Sequence, residues 1–100
     1  MKYLVIVKPR EAMAQTVSSA VVQAHKDYLN RRLASGVADC TYSFVTGGGM
    51  SIVNAECHEH LAELLRQAPM SLFHERQIFP LCDFNTTIEM TLDLLRQQSR

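Results

Sequence analysis

One hundred residues with ten Lys and Arg against ten Asp and Glu give a formal net charge of zero, so no overall field draws this chain to nucleic acid or to an anionic membrane. Apolar residues make up 47% and charged residues 20%, which excludes a disordered chain and fits a single globular domain spanning 1–100 with a modest core. Three cysteines, Cys40, Cys57 and Cys82, are odd in number and form no CxxC pair; they read as free thiols in a reducing, cytoplasmic setting.

The first predicted element is "KYLVIV" (2–7), a β-branched apolar run halted by Pro9. It reads as a strand buried on both faces. One Lys ahead of five apolar residues is too short for a signal peptide, and no stretch approaches a membrane span.

The stretch "EAMAQTVSSAVVQAHKDYLNRRLASG" (11–36) follows. Val17, Ala20, Val21, Ala24 and Tyr28 recur at helical spacing, Val22, Leu29 and Leu33 form a second stripe, and Gly36 supplies the stop. Two stripes cover more of a helix than one sheet needs, which points to burial against a partner chain as well.

"VADCTYSFVT" (37–46) and "MSIVNAE" (50–56) read as strands joined by glycines. Gly47, Gly48 and Gly49 do not form a phosphate loop: no Lys follows them, and the chain continues as a strand rather than a helix. A hairpin turn needing positive φ accounts for them.

"HEHLAELLRQAP" (58–69) is a second amphipathic helix through Leu61, Leu64, Leu65 and Ala68, ended by Pro69. His58 and His60, beside Cys57 and Glu59, suggest a metal site on paper. Residues i and i+2 on a helix point about 200° apart, so the two rings do not share one ion and no metal is expected.

"RQIFPLCDF" (76–84) is a last strand, which Pro80 assigns to a sheet edge. "TTIEMTLDLLRQQSR" (86–100) opens with a capping-box pattern, Thr86 to Glu89, and sets Ile88, Leu92 and Leu95 on one face of a C-terminal helical extension placed at 85–100. The order β-α-β-β-α-β plus a terminal helix is the ferredoxin-like α+β arrangement, with the first and third strands central.

The candidate chemistry lies in "AHKDY" (24–28). His25 falls between the two apolar stripes, Lys26 at the margin of the second and Tyr28 within the first. A histidine near neutrality can take and return a proton, and a nearby cation can stabilise an enolate or hold a carboxylate. The alternative is a hydrogen-bonded core or interface histidine, with Lys26 snorkelling outward. Tyr3, Lys8, Ser43, His74 and Glu75 each read as ordinary surface near strand ends, and Met70, Leu72 and Phe73 as core or pocket wall.

From His25 to Phe84 the chain resembles the muconolactone isomerase family, through "HKDYLNRRLASG", "FVTGGG" with "SIVNAE", "HLAELLRQAPM" and "PLCDF" in that order. The resemblance implies a dimeric α/β barrel, assembled further as a decamer, that needs neither metal nor cofactor. It implies a cofactor-independent isomerase of a muconolactone-like lactone in aromatic catabolism, acting by proton abstraction next to a carbonyl and reprotonation elsewhere. Lys26 matches the lysine of the family's first helix, which makes it the anion stabiliser. His25 stands where members carry Glu, which makes it the general base, with Tyr28 as a helper resting on helix geometry. The family's His- and Tyr-bearing turn falls here on Gly47, Gly48 and Gly49. A non-catalytic small-ligand-binding protein, or another enzyme of the same fold, is the alternative function.

Overall fold

The structure, a computed structural model, describes residues 1–10 and 17–99. Strands β1 (Lys2–Pro9), β2 (Ala38–Ser43), β3 (Gly49–Asn54) and β4 (His74–Leu81) form one antiparallel sheet in the order β2-β3-β1-β4. The most apolar strands are central, and Pro80, which has no N–H for a ladder, lies on the edge strand as the sequence requires. Helices α1 (Ser19–Ser35) and α2 (His58–Arg66) make the connections, and α3 (Phe84–Gln98) follows β4. This is the ferredoxin-like α+β fold.

Side chains alternate across a strand, so Tyr3, Val5 and Val7 share the helix-facing side of β1. Tyr3, Val5, Val53, Ala55, Leu61 and Leu64 form the core, between that side and α2. The expectation that β1 is buried on both faces is corrected: Leu4 and Ile6 are half-buried, because among the described residues no second layer covers the other side of the sheet. Registered beside them on that open side are Ile52, Phe79 and Leu81. A polar cluster closes one end of it, where Lys2 Nζ reaches Asp39 at 2.5 Å and Asn54 at 2.8 Å.

Helix α1 begins where the Ser18 hydroxyl accepts from Val21 N–H and ends at Gly36, whose φ of 79° lets its N–H reach the Leu33 carbonyl. The predicted leading part at 11–16 lies outside the described residues. No residue of α1 is fully buried. Its sheet-facing stripe is Val21, His25, Tyr28, Leu29 and Arg32, all half-buried, while Val22 and Leu33 are 47% and 40% exposed. Bulky polar rings on that stripe hold the helix off the sheet and leave space beneath it.

The glycine turn is a hairpin: Phe44 N–H donates to the Gly48 carbonyl and Gly47 N–H to that of Phe44, with φ of 105° at Gly47 and 78° at Gly48. Gly48 has a second reason to lack a side chain, since a Cβ there would lie 2.2 Å from the Val7 carbonyl oxygen.

The last helix starts earlier than the capping-box reading placed it. Asp83 is its N-cap, accepting from Thr86 N–H at 3.1 Å, because a carboxylate two residues after the strand offers a stronger acceptor than the Thr86 hydroxyl. None of its residues is buried. Ile88, Leu92 and Leu95 share one face as expected, and Phe84 extends that face toward the start of the helix. Glu89, Asp93 and Arg96 gather opposite, with Arg96 paired to Asp93 at 3.0 Å. The chain measures 63 × 29 × 24 Å with a radius of gyration of 17.4 Å. A compact chain of this length has about 13 Å.

Candidate functional site

The space under α1 is a cavity of about 250 Å³ between that helix and the sheet. Apolar walls come from Val5 and Val7 of β1, Val53 of β3, and Leu64 and Leu65 of α2. Into it converge His25, Tyr28 and Arg32 of α1 with His74 and Arg76 of β4. Their positions follow from two periodicities. Residues 25, 28 and 32 share one helix face, and residues 74 and 76 share one strand face. Pairing Pro9 with His74 and Val7 with Arg76 turns that strand face toward the helix.

The His25 and Tyr28 rings stack with centroids 5.9 Å apart. Tyr28 is fixed at its far end by a 2.9 Å bond from its hydroxyl to the Leu64 carbonyl. The Arg32 guanidinium lies 4.9 Å from the centre of the Tyr28 ring and also bonds Gln67. The His74 ring meets His25 edge-on at 5.7 Å. Arg76 donates to the Leu65 carbonyl at 2.9 Å. The Nδ1 atom of His25 is fully buried and has no hydrogen-bond partner among the described residues. A buried polar atom left so costs about 1–3 kcal/mol unless something supplies a partner.

Burial is the main cause holding His25 below its ordinary pKa, with the positive neighbours His74 and Arg76 adding to it. Burial does the same to His74, with Arg76 as the second cause. Both rings therefore favour the neutral form, in which one nitrogen accepts a proton.

Of the three residues singled out in the sequence, the structure brings His25 and Tyr28 together at the cavity. Lys26 is exposed on the other side of the helix turn and does not line it. Among the described residues the cations at the cavity are Arg32 and Arg76. Sequence reading missed Arg32, which recurs at i+4 from Tyr28, and took His74 for surface. The alternation of His74 and Arg76 along one strand was the available signal.

The α2 histidines serve the fold. His58 Nδ1 lies 2.6 Å from the Tyr3 hydroxyl, while His60 Nδ1 accepts from Glu56 N–H at 2.9 Å. Among the described residues no three His, Cys, Asp or Glu side chains gather as metal ligands. A second hollow of about 270 Å³ beside Tyr3 and His58 is walled by Leu61, Ala62, Ile78 and Pro80. Its two polar groups already satisfy each other, so it offers no converging chemistry. Among the described residues no helix is long and apolar enough to cross a membrane.

No known protein family matches this chain. No curated protein matches it either. A solved structure does: 5-chloro-2-hydroxyhydroquinone dehydrochlorinase (TftG) from Burkholderia phenoliruptrix AC1100, in complex with 2,5-dihydroxybenzoquinone, superposes with a TM-score of 0.69 over 86% of this chain and 98% of that one. The two are 14% identical in sequence, and at that level the likeness is one of fold.

Proposed function

We propose that the chain is a cofactor-independent isomerase of a small muconolactone-like lactone in aromatic catabolism. The observation that carries this is the His25 ring in the wall of a largely apolar cavity large enough for a single-ring substrate, its buried Nδ1 without a hydrogen-bond partner among the described residues. A neutral imidazole so placed is a general base: it takes a proton next to a carbonyl, and the electron pair moves into a dienolate that is reprotonated at another carbon. Stacking on Tyr28 holds the ring in place. The similarity of fold to a dehydrochlorinase of 5-chloro-2-hydroxyhydroquinone supports a small-ring substrate.

Lys26 has no part in the cavity of one chain. Its role as anion stabiliser requires a further copy to close the site over α1, apart from the one paired through the sheet. The same proposal pairs two copies through their open sheet faces as a dimeric α/β barrel, within a larger homo-oligomer. The exposed Phe79 and Leu81 and half-buried Leu4, Ile6 and Ile52 support that pairing. Free cysteines Cys40, Cys57 and Cys82 fit a cytoplasmic setting. The exposure of Lys26 favours a second reading, a binding protein of this fold without turnover.

The test is loss of muconolactone absorbance with the purified protein, with His25→Ala and with Lys26→Met. Turnover that falls by about 10²–10⁴-fold in His25→Ala supports the reading. No turnover of any muconolactone by the intact protein overturns it and leaves the binding role.

A further inference from the structure

The titratable residues lining the cavity are two histidines, two arginines and two tyrosines, His25, His74, Arg32, Arg76, Tyr28 and Tyr42. No described lining residue is a carboxylate. In a chain of zero net charge this is a local concentration of one sign. Arg10 adds to it beside Arg76. The elements packed around His25 offer nothing to offset it: β1 presents Val5 and Val7, β3 presents Ser51 and Val53, β2 presents Thr41, and α2 presents Leu64 and Leu65.

Burial works against the charge on Arg76, and its one hydrogen bond among the described residues goes to the Leu65 carbonyl. A guanidinium has five N–H donors in a planar fork, so most of its donors have no acceptor among the described residues. Arg32 is differently placed, held by Gln67 and the Tyr28 face. A half-buried cation, a second histidine and an orphaned imidazole nitrogen together describe a site with no negative partner among the described residues.

We propose that His74 and Arg76 complete the site as an anion receptor with a paired histidine: Arg76 holds the oxyanion of a single-ring carboxylate or enolate, and His25 and His74 share one proton above it. This rests on the isomerase reading and adds to it two residues from β4. His25 takes a proton from carbon as the C–H bond breaks, and the electron pair moves through the substrate onto the oxygen held by Arg76. His74, protonated as the anion binds, gives its proton to a different carbon as the electron pair returns from that oxygen and the new C–H bond forms. One proton leaves the substrate and one returns, and exchange with water passes the proton from His25 back to His74.

An anion beside the two rings opposes the effects that hold them neutral, so binding takes up a proton and tightens as pH falls. The test is calorimetric titration of the intact protein with benzoate and with its neutral isostere benzamide, in buffers of different ionisation heat. Benzoate binds about tenfold or more tighter than benzamide and tightens between about pH 8 and about pH 6 with uptake of a proton. Arg76→Met weakens benzoate by about tenfold or more while leaving benzamide alone, and Arg76→Lys recovers part of the loss. His74→Gln keeps the preference for benzoate and reduces the proton uptake.

Equal binding of benzoate and benzamide by the wild-type protein overturns the proposal whatever the variants do. So does benzoate affinity unchanged in a folded Arg76→Met. Absence of muconolactone turnover alongside Arg76-dependent benzoate binding removes the lactone and keeps the receptor. Turnover without discrimination between the two probes removes the receptor alone.

Discussion

The His25 and His74 rings meet edge-on at 5.7 Å although they arise from the first helix and the last strand. Burial holds both below the ordinary value of 6.5. An unfolded chain therefore binds protons near that value that the folded one refuses, so their contribution to stability is full above it. It is lost as pH falls through the lower folded values. Thermal melting followed from about pH 7.5 to about pH 5.5 falls in the wild type, and a His25→Gln, His74→Gln double variant shows a shallower fall. Parallel pH profiles for the two proteins would contradict this.

Gly48 and Gly47 sit side by side with positive φ, yet they differ in what surrounds them. A methyl group on Gly48 meets the Val7 carbonyl oxygen at 2.2 Å, whereas on Gly47 the nearest atom is Pro9 Cγ at 4.0 Å. Gly48→Ala is expected to cost about 3 kcal/mol or more and Gly47→Ala about 1 kcal/mol, read from urea unfolding midpoints. Equal costs would mean that turn strain alone governs the hairpin.

Tyr3 is 2% exposed, and its hydroxyl meets His58 Nδ1 at 2.6 Å. Tyr3→Phe keeps the ring and strands one imidazole nitrogen near the surface, for a loss of about 1 kcal/mol in chemical denaturation. His58→Ala, which strands the buried hydroxyl instead, is expected to cost at least as much. A neutral effect of both would show that the bond carries no net stability.

Asp83 rather than Thr86 caps the last helix. Asp83→Ala should therefore lower helical ellipticity and destabilise α3 by about 1 kcal/mol, while Glu89→Gln leaves its start intact. The reverse ranking in circular dichroism would restore the capping box at Thr86.

Local chemistry made much of the fold legible. Pro80 identified an edge strand, Gly36 ended a helix, and the unbroken apolar run of "LVIV" marked a central strand. The site was legible only in part. His25 and Tyr28 were readable because three residues along a helix are neighbours by geometry. His74 and Arg76 were not, because what aims them at His25 is the pairing of β4 with β1 across more than sixty positions of chain. Lys26 looked equivalent to His25 in sequence, but a rotation of about 100° per residue sends adjacent helical side chains in different directions.

Helix α3 leaves the core with none of its residues buried, in a chain 63 Å long. A lone helix of its length is only marginally stable in water. In a solitary chain its amide hydrogens should exchange with solvent far sooner than those of β1, as a separate cooperative unit with its own opening equilibrium. Slow exchange along Phe84–Gln98 would thus be a direct reading of association. Protection of the C-terminal segment would report whether copies associate at all, independent of whether the cavity is filled.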